Sequence, residues 1–409
     1  MTEATLVRRV AFWLVLLAAA GTFALTMGTR QSMGLFLSSL NTQTGLGLGS
    51  ISLAFAFGQL WWGLTQPFAG ALADRYGVGR VLVAGLALLA LGTFITPFMT
   101  TTLGLVFSIG VLASGGAGMA GPAVLMSAAV RMIAPARRGL ATGIVNAGGS
   151  FGQFATAPVA AALIVGMGWT VAMQVLALMV LAALPAAWVL RGTAAQTVAA
   201  EERKPQGAGA AVREALRHPG YLLLCAGFFV CGFHVAFLAV HLPGVVEACG
   251  LPKQWGGWSL AMLGLFNIVG SLAIGWAVGR WRMKSLLALI YAVRAVAVMV
   301  FLFMPKTGVT VLVFAAVMGL SYLSTVPPTA GLVAKFFGPA QMATLFGLVL
   351  LTHQVGAFFG AWLGGKVFEW TGAYDWFWYV DILLAIGAAL IHLPIREAKL
   401  APAGGTVAA

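Results

Sequence analysis

Apolar residues run through this chain in long unbroken stretches separated by short polar turns. A helix that crosses a bilayer needs about 20 mostly apolar residues. Twelve stretches qualify: about 10–37, 49–73, 81–99, 103–131, 139–167, 169–190, 221–246, 256–279, 285–304, 308–334, 341–365 and 376–395. A membrane barrel would instead show segments of about ten residues with alternating polarity. The first stretch follows Arg8–Arg9 but is too long for the apolar core of a signal peptide. No short version of it ends in a small-residue cleavage site, so it reads as a retained first helix. The pattern predicts an all-α membrane protein with 12 transmembrane helices.

Composition agrees and removes other classes. The 409 residues are 61% hydrophobic and 8% charged, against about 25% charged for a soluble domain. That excludes an ordinary soluble enzyme and a disordered scaffold. The net charge of +13 is an orientation signal, with no basic arm of the kind that binds nucleic acid. Eighteen of the 23 Lys and Arg fall at the termini and the even-numbered loops. Three, Lys253, Lys306 and Lys366, fall at the opposite face, and Arg30 and Arg294 lie within spans. Basic loops stay inside, so both termini are expected in the cytoplasm of a multi-pass inner (plasma) membrane protein. Cys225, Cys231 and Cys249 are scattered, which predicts neither a disulfide framework nor a metal site. No cofactor is expected.

The longest polar stretch, 191–220, bisects the chain and reads as a cytoplasmic linker. Its AAVREALR run is expected to form a short surface helix. The expected domains are thus residues 1–190, a six-helix bundle, and 221–409, a second bundle with a short tail. Internal matches support duplication. Arg131, Pro135 and Gly143 recur as Lys335, Pro339 and Gly347 at an offset of 204. Gly70-x-x-x-Asp74-Arg75 recurs as Gly275-x-x-x-Gly279-Arg280 at an offset of 205. Two pseudo-symmetric bundles with a midplane site describe a rocking transporter.

The segment Gly70-Ala-Leu-Ala-Asp74-Arg75-Tyr-Gly77-Val-Gly79-Arg80, between spans two and three, resembles the signature loop of the major facilitator superfamily. The resemblance covers nearly the whole chain. It implies the major facilitator fold and a cytoplasmic gate made of Gly70, Asp74, Arg75, Gly77 and Arg80. Gly70 would let helices approach, and Asp74 would pair with basic groups or a helix N-terminus. Further stretches are similar to the prokaryotic branch near oxalate/formate antiporters and monocarboxylate porters. They are Gly28-Thr-Arg30-Gln-Ser-Met-Gly-Leu-Phe, Gly232-Phe-His234 to Pro243, Tyr291-Ala-Val-Arg294-Ala, and His353-Gln354 to Trp362. That branch implies small organic anions, often moved with protons. The chain departs from it in two places. The Asp-x-x-x-Arg pair that animal monocarboxylate porters carry in span eight is replaced by Phe266-Asn267-Ile-Val-Gly270. The lysine of the oxalate/formate exchanger in span eleven has no match, and His353 lies in that span. The span-four arginine and span-five Gly-Pro motif of proton-driven drug exporters are also missing.

Each polar residue at membrane depth needs a reason, since a buried charge costs about 2.5–3.5 kcal/mol even on insertion scales. Arg30, about seven residues from the end of span one, is placed to hold a carboxylate with a two-pronged guanidinium, or else to cap carbonyls. Arg294 in span nine reads as a substrate ligand or a structural anchor. His234 and His241 share one face of span seven, and with His353 they are candidates to bind substrate or carry a coupling proton. Asn146, Gln153, Asn267 and Tyr322 complete the substrate-binding candidates. Asp381, the acid well inside a span, is a further proton carrier or the partner of a buried cation. Gly121-Pro122, Pro158, Pro327-Pro328 and Gly331 mark helix breaks, with Pro327-Pro328 the expected bend of span ten.

No GxxxxGK[ST] loop is present, so a gradient would supply the energy. The leading reading is a secondary transporter of a small organic anion, a monocarboxylate or related carboxylate, working by alternating access. Its partners would be that anion, the lipid bilayer and a coupling proton, with no nucleic acid, in a monomer. Symport, exchange and facilitated diffusion stay open. The alternatives are an exporter or exchanger of a neutral or amphipathic molecule, and a transporter-like membrane sensor. A membrane enzyme finds no acid or metal-ligand cluster to support it.

Overall fold

A computed structural model describes residues 3–132, 138–191, 208–338 and 341–397. Pro135 and Pro339 of the repeat, and residues 192–207 of the expected linker, lie outside the described residues. Among the described residues the chain is helical and has no strand.

Eleven helical stretches are long and apolar enough to cross a bilayer. They correspond to spans one and three to twelve. The remaining helix, Leu48–Tyr76, is span two. Its 29 residues reach about 43 Å at 1.5 Å per residue, ample to cross. Gln59, Trp61, Trp62, Thr65 and Gln66 make it the least apolar of the twelve. The other spans follow the expected order. Span one runs Glu3–Gln31, then a 3-10 turn Met33–Phe36 and a short helix Leu37–Thr44. Span three is Val78–Ile95, span five Arg138–Met167, and span six Trp169–Leu181 with Leu184–Val189. Spans seven, eight and nine are Pro219–Ala248, Gln254–Val278 and Met283–Phe303. Spans eleven and twelve are Met342–Thr371 and Asp375–His392. The expected surface helix is Ala208–Ala215, seated on span eleven.

Spans four and ten are interrupted. Span four passes from Thr102–Leu105 through a π-helical segment Val106–Ala113 to Ser114–Met119, and resumes at Pro122–Met132 after Gly121. Span ten stops at Ser321 and resumes at Val326, so Gly308–Ser321 and Val326–Phe337 flank a break. Pro327 and Pro328 carry no N–H to continue the ladder. Pro158 lies inside span five without breaking it.

Packing repeats along the chain. Span one lies on span five as span seven lies on span eleven, and span three on span six as span nine lies on span twelve. Two contacts then cross between the bundles, span two on span eleven and span five on span eight, and these exchange under the same repeat. Between membrane helices there is little hydrophobic drive, so close approach through small residues does the joining. A Cβ at Gly152 would strike the Ala24 backbone, and one at Gly28 the Gly152 carbonyl. A Cβ at Gly356 would strike Phe229, and one at Gly232 the His353 carbonyl. Gly28 and Gly152 become Gly232 and Gly356 on adding 204 to each number, a match that extends the repeat seen in the sequence.

The crossing contacts are tight at one end only. Facing the end away from the termini, a Cβ at Gly49 would meet Lys366 and Glu369, and one at Gly257 would meet Ala157 and Ala161. At mid-depth, Gly63 meets Gln354 and Gly264 meets Ser150 and Phe154. Toward the termini the same helices part. A Cβ at Gly70, Gly143, Gly275 or Gly347 has nothing within 4 Å. These four are the glycines of the two sequence repeats. The bundles therefore form a V that opens on the face bearing the termini. On that face Glu397 accepts from the Lys284 backbone N–H at 2.8 Å and from Lys335 Nζ at 3.0 Å, tying the end of the chain to spans nine and ten.

Candidate substrate cavity and buried charge network

Span one ends its regular helix at Gln31, where Ser32 turns its hydroxyl back onto the Gly28 carbonyl at 2.7 Å. This puts Arg30 in the last turn before the 3-10 segment. The helical path continues to Thr44, so Arg30 sits about 20 Å from that end, deeper than the sequence alone implies. Its guanidinium donates to Gln59 Oε1 and stands 4.5 Å from the centre of the Trp62 ring, a cation–π distance. Both partners come from span two.

Beside Arg30 lies a small cavity. Spans one to four line it with Thr29, Arg30, Gln59, Thr93 and Ser114 among apolar neighbours, and Ala239 and Val240 of span seven close it. Thr93 is buried with its hydroxyl unpartnered. Ser114 follows the π-helical segment and donates to Ile109 at 2.8 Å, leaving its lone pairs free. Single π turns inside α-helices occur often at functional sites. Arg30 is the only charged group in the lining, and among the described residues no carboxylate pairs with it. A guanidinium placed beside a cavity presents paired donors to whatever acceptor enters it. Gln59, Thr93 and Ser114 escape a reading of the sequence because single neutral polar residues in apolar runs carry no distinctive spacing.

Arg294 does something different. It is 1% exposed and reaches from span nine into the break of span ten. Its Nη2 donates to the Ser321 and Tyr322 carbonyls, the latter at 2.8 Å, and Nε to Ser321 Oγ at 3.3 Å. These are carbonyls that a continuous helix would have used. On its other side Nη1 lies 3.4 Å from His234 Nδ1, and His234 Nε2 lies 3.1 Å from Asp381 Oδ1. Arg294, His234 and Asp381, from spans nine, seven and twelve, thus form one buried string. The structure brings together three candidates that the sequence leaves on separate helices.

Two further candidates join the bundles. Tyr322 donates to the Val235 carbonyl at 3.0 Å and receives a long contact of 3.5 Å from Gln31 Nε2, next to Arg30. Asn267 donates from Nδ2 to Ser150 Oγ at 2.8 Å across the span five–eight contact. Its Oδ1 accepts from the Leu323 N–H at 3.1 Å, inside the span-ten break.

The remaining candidates are dispersed. Asn146 is exposed on the face of span five that carries Gly143. Gln153 is buried with its amide nitrogen unpartnered. His353 places its ring 5.1 Å from Phe228, with neither ring nitrogen bonded. His241 uses Nε2 on the Ala361 carbonyl at 2.7 Å and stacks on Phe237. At the signature loop, Gly77 takes φ +91°, a backbone conformation suited to glycine, and turns span two into span three. Asp74, Arg75 and Arg80 are exposed there, with Arg75 over the Tyr76 ring.

The family model described as Major Facilitator Superfamily matches residues 14–361. An uncharacterized MFS-type transporter, YcxA, of Bacillus subtilis (strain 168) is 24% identical over 390 residues, covering 93% of this chain and 94% of that one. Monocarboxylate transporter 13 of Bos taurus is 25% identical, covering 93% and 89%. The oxalate:formate antiporter of Oxalobacter formigenes is 23% identical, covering 88% and 87%. Among solved structures, a mutant of the nucleoside transporter NupG superposes with a TM-score of 0.80 at 14% identity, over 94% of this chain and 99% of that one. That likeness speaks to fold.

Proposed function

The chain belongs to the Major Facilitator Superfamily, and on that premise we propose that it moves a small organic anion, a monocarboxylate or related carboxylate, across the membrane by alternating access. The observation that carries this is Arg30, a half-buried cation beside the cavity with no acid paired to it among the described residues. A guanidinium offers paired donors to a carboxylate, and Gln59 and Trp62 hold it in place for that task. The names of the relatives in cattle and Oxalobacter formigenes point to the same class of cargo. The cavity is small and lies deep, as expected of a site that must be reached in turn from both sides.

In this reading residues 1–190 rock against 221–395 about the tight ends of the crossing contacts, with 191–220 as the linker. The open V faces the cytoplasm, both termini lie there, and the protein works as a monomer in the inner (plasma) membrane. When the V closes, Gly70, Asp74, Arg75, Gly77 and Arg80 form the cytoplasmic gate. Transport draws on a gradient, with the proton as coupling ion.

The test is uptake by purified protein in liposomes of labelled acetate, lactate, formate and oxalate, with and without an imposed pH gradient. Uptake of at least one, lost in Arg30→Ala, is the expected result. Movement of none of them, together with no thermal protection by any, would end the anion reading.

A further inference from the structure

Span eight presents one exposed stripe along its length. Trp258, Val269, Leu272 and Trp276 lie on it, each at least half exposed. Trp258 and Trp276 are 18 residues apart. That is about five helical turns, so the two share a face and stand about 27 Å apart. The hydrocarbon core of a bilayer is about 30 Å thick, and tryptophan gathers at its two borders. The stripe therefore faces lipid, with Trp276 at headgroup level on the side that bears the termini. Arg280 follows one turn later. Its Nη1 donates to the Trp276 carbonyl at 3.0 Å, and its guanidinium carbon stands 3.9 Å from the centre of the Trp276 ring, a cation–π contact. Trp281 meets the same ring edge to face, with centroids 5.5 Å apart. The carbonyl takes one of the five N–H donors of a guanidinium, and the others remain for a ligand.

The charge around this turn is one-sided. The corresponding turn of the first bundle carries Asp74 ahead of Arg75. Here Gly279 stands in place of the acid, and Arg280, Trp281, Arg282 and Lys284 follow. No Asp or Glu occurs between Glu247 and Glu369. Glu397 reaches the turn but is occupied by the Lys284 backbone N–H and by Lys335 Nζ. Lys284 Nζ is occupied too, by the Leu393 carbonyl at 2.7 Å. Arg280 and Arg282 are exposed, and among the described residues neither has an acidic partner. We propose that this turn is a docking site for the headgroup of an anionic phospholipid. Arg280 and Arg282 take the phosphate oxygens through charge-assisted hydrogen bonds. Trp276 and Trp281 seat the glycerol region, and an acyl chain lies along Leu272 and Val269. Trp276 fixes the Arg280 guanidinium before the lipid arrives, which lowers the ordering cost of binding. A zwitterionic lipid brings a cation beside its phosphate, which these arginines repel, whereas a lipid of net negative charge does not. A water-soluble phosphate lacks the chain that the stripe accommodates. The site belongs to the second bundle alone and does not depend on which molecule is transported.

Native mass spectrometry of the full chain in detergent, titrated separately with phosphatidylglycerol and phosphatidylcholine, reads the affinity of the first lipid bound. The expected result is tighter binding of phosphatidylglycerol. A basic side chain near an anionic headgroup is worth about fivefold in affinity. Arg280→Gln with Arg282→Gln should therefore weaken the first phosphatidylglycerol by about 25-fold, and Arg282→Gln alone by about fivefold. Trp276→Leu keeps the apolar stripe but frees the guanidinium, and should weaken binding with both arginines present. Arg213→Gln with Arg217→Gln removes the same charge from exposed positions near the same face and should leave the affinity unchanged. Melting temperatures in lipid-free detergent report folding. Arg282→Gln alters an exposed side chain only, so it tests the site even where the double variant does not fold. Three results would each overturn the proposal. The first is equal affinity of the parent for the two lipids. The second is equal loss in the two double variants, which means diffuse attraction and no site. The third is displacement of the lipid by inorganic phosphate, which means a site for a soluble anion.

Discussion

Arg30 and His234 are separated by 204 positions and hold the same place in the two bundles, each two residues after a glycine, Gly28 or Gly232, that seats its helix on the bundle's fifth member. Each points into its own bundle. Arg30 finds Gln59 of span two and lines a cavity. His234 finds Arg294 of span nine and Asp381 of span twelve, and the corresponding space is filled. Duplication has thus left one half with a site open to a ligand and the other with a site that satisfies itself. The predictions below follow from that asymmetry and from the contacts that cross between the halves.

Replacing Arg30 should damage binding more than folding. A hydrogen bond to a charged group contributes about 1.5–3 kcal/mol, so Arg30→Gln should raise the apparent KM for a transported carboxylate by about 10–100-fold. Arg30→Lys keeps the charge but loses the planar fork and should fall between the two. Initial uptake rates in liposomes at several concentrations measure this. A KM unchanged in Arg30→Gln would remove the residue from the site.

Arg294 should show the opposite balance. Arg294→Ala strips donors from the buried Ser321 and Tyr322 carbonyls and a neighbour from His234. Leaving a buried acceptor unsatisfied costs about 1–3 kcal/mol. Thermal unfolding in detergent should show a loss of at least that order, and Arg294→Lys, which keeps a donor, should lose less. A single variant as stable as the parent would contradict the contacts described here.

The bond between Asn267 and Ser150 is unequal in its consequences. Ser150→Ala removes one hydroxyl and should cost about 1 kcal/mol. Asn267→Ala also leaves the Leu323 N–H without its acceptor inside the span-ten break, so it should cost more, about 1–3 kcal/mol. A double-mutant cycle by thermal unfolding gives the coupling between them. Equal losses from the two single variants would show that the Leu323 contact contributes nothing.

His218 offers a pH test outside the membrane spans. It caps span seven by accepting the Tyr221 N–H at Nδ1, at 3.1 Å, which only the neutral ring can do. Burial pushes its pKa below the ordinary value of 6.5, against an opposing pull from Glu214. The unfolded chain then takes up the proton first as pH falls. The stabilisation is full above pH 6.5 and is lost as pH drops toward the lowered folded value. His218→Asn, which caps without titrating, should remove that part of the acid-side decline in melting temperature. An identical decline in both proteins would show that the cap does not titrate.

Much of this was legible in the sequence, for reasons that differ by residue. Span count and the repeat follow from long apolar runs and glycine spacing, because a bilayer enforces length and close packing enforces small residues. The bend of span ten was legible in Pro327-Pro328, since a missing N–H is written in the residue type. The partners of that bend were not, because Arg294 lies about thirty positions away on another helix and nothing local says which way it turns. Asp381 and His234 stand out singly as buried polar residues, yet their pairing depends on helix rotation. Gln59 and Thr93 line the cavity only because spans two and three happen to present those faces. The π-helical segment of span four has no sequence signal of its own.

Span two supplies Gln59 to the cavity and Trp62 to Arg30 beside it, and is the least apolar of the twelve helices. A helix entering a bilayer during synthesis is accepted or rejected largely on its own hydrophobicity, and this one carries two glutamines near its centre. Its entry into lipid must therefore rely on neighbours, with span one already waiting or span three following at once through the tight turn at Gly77. Arg30 and Gln59, each a poor passenger alone, satisfy one another once side by side. The helices that build the cavity are the ones the biosynthetic machinery must handle as a pair.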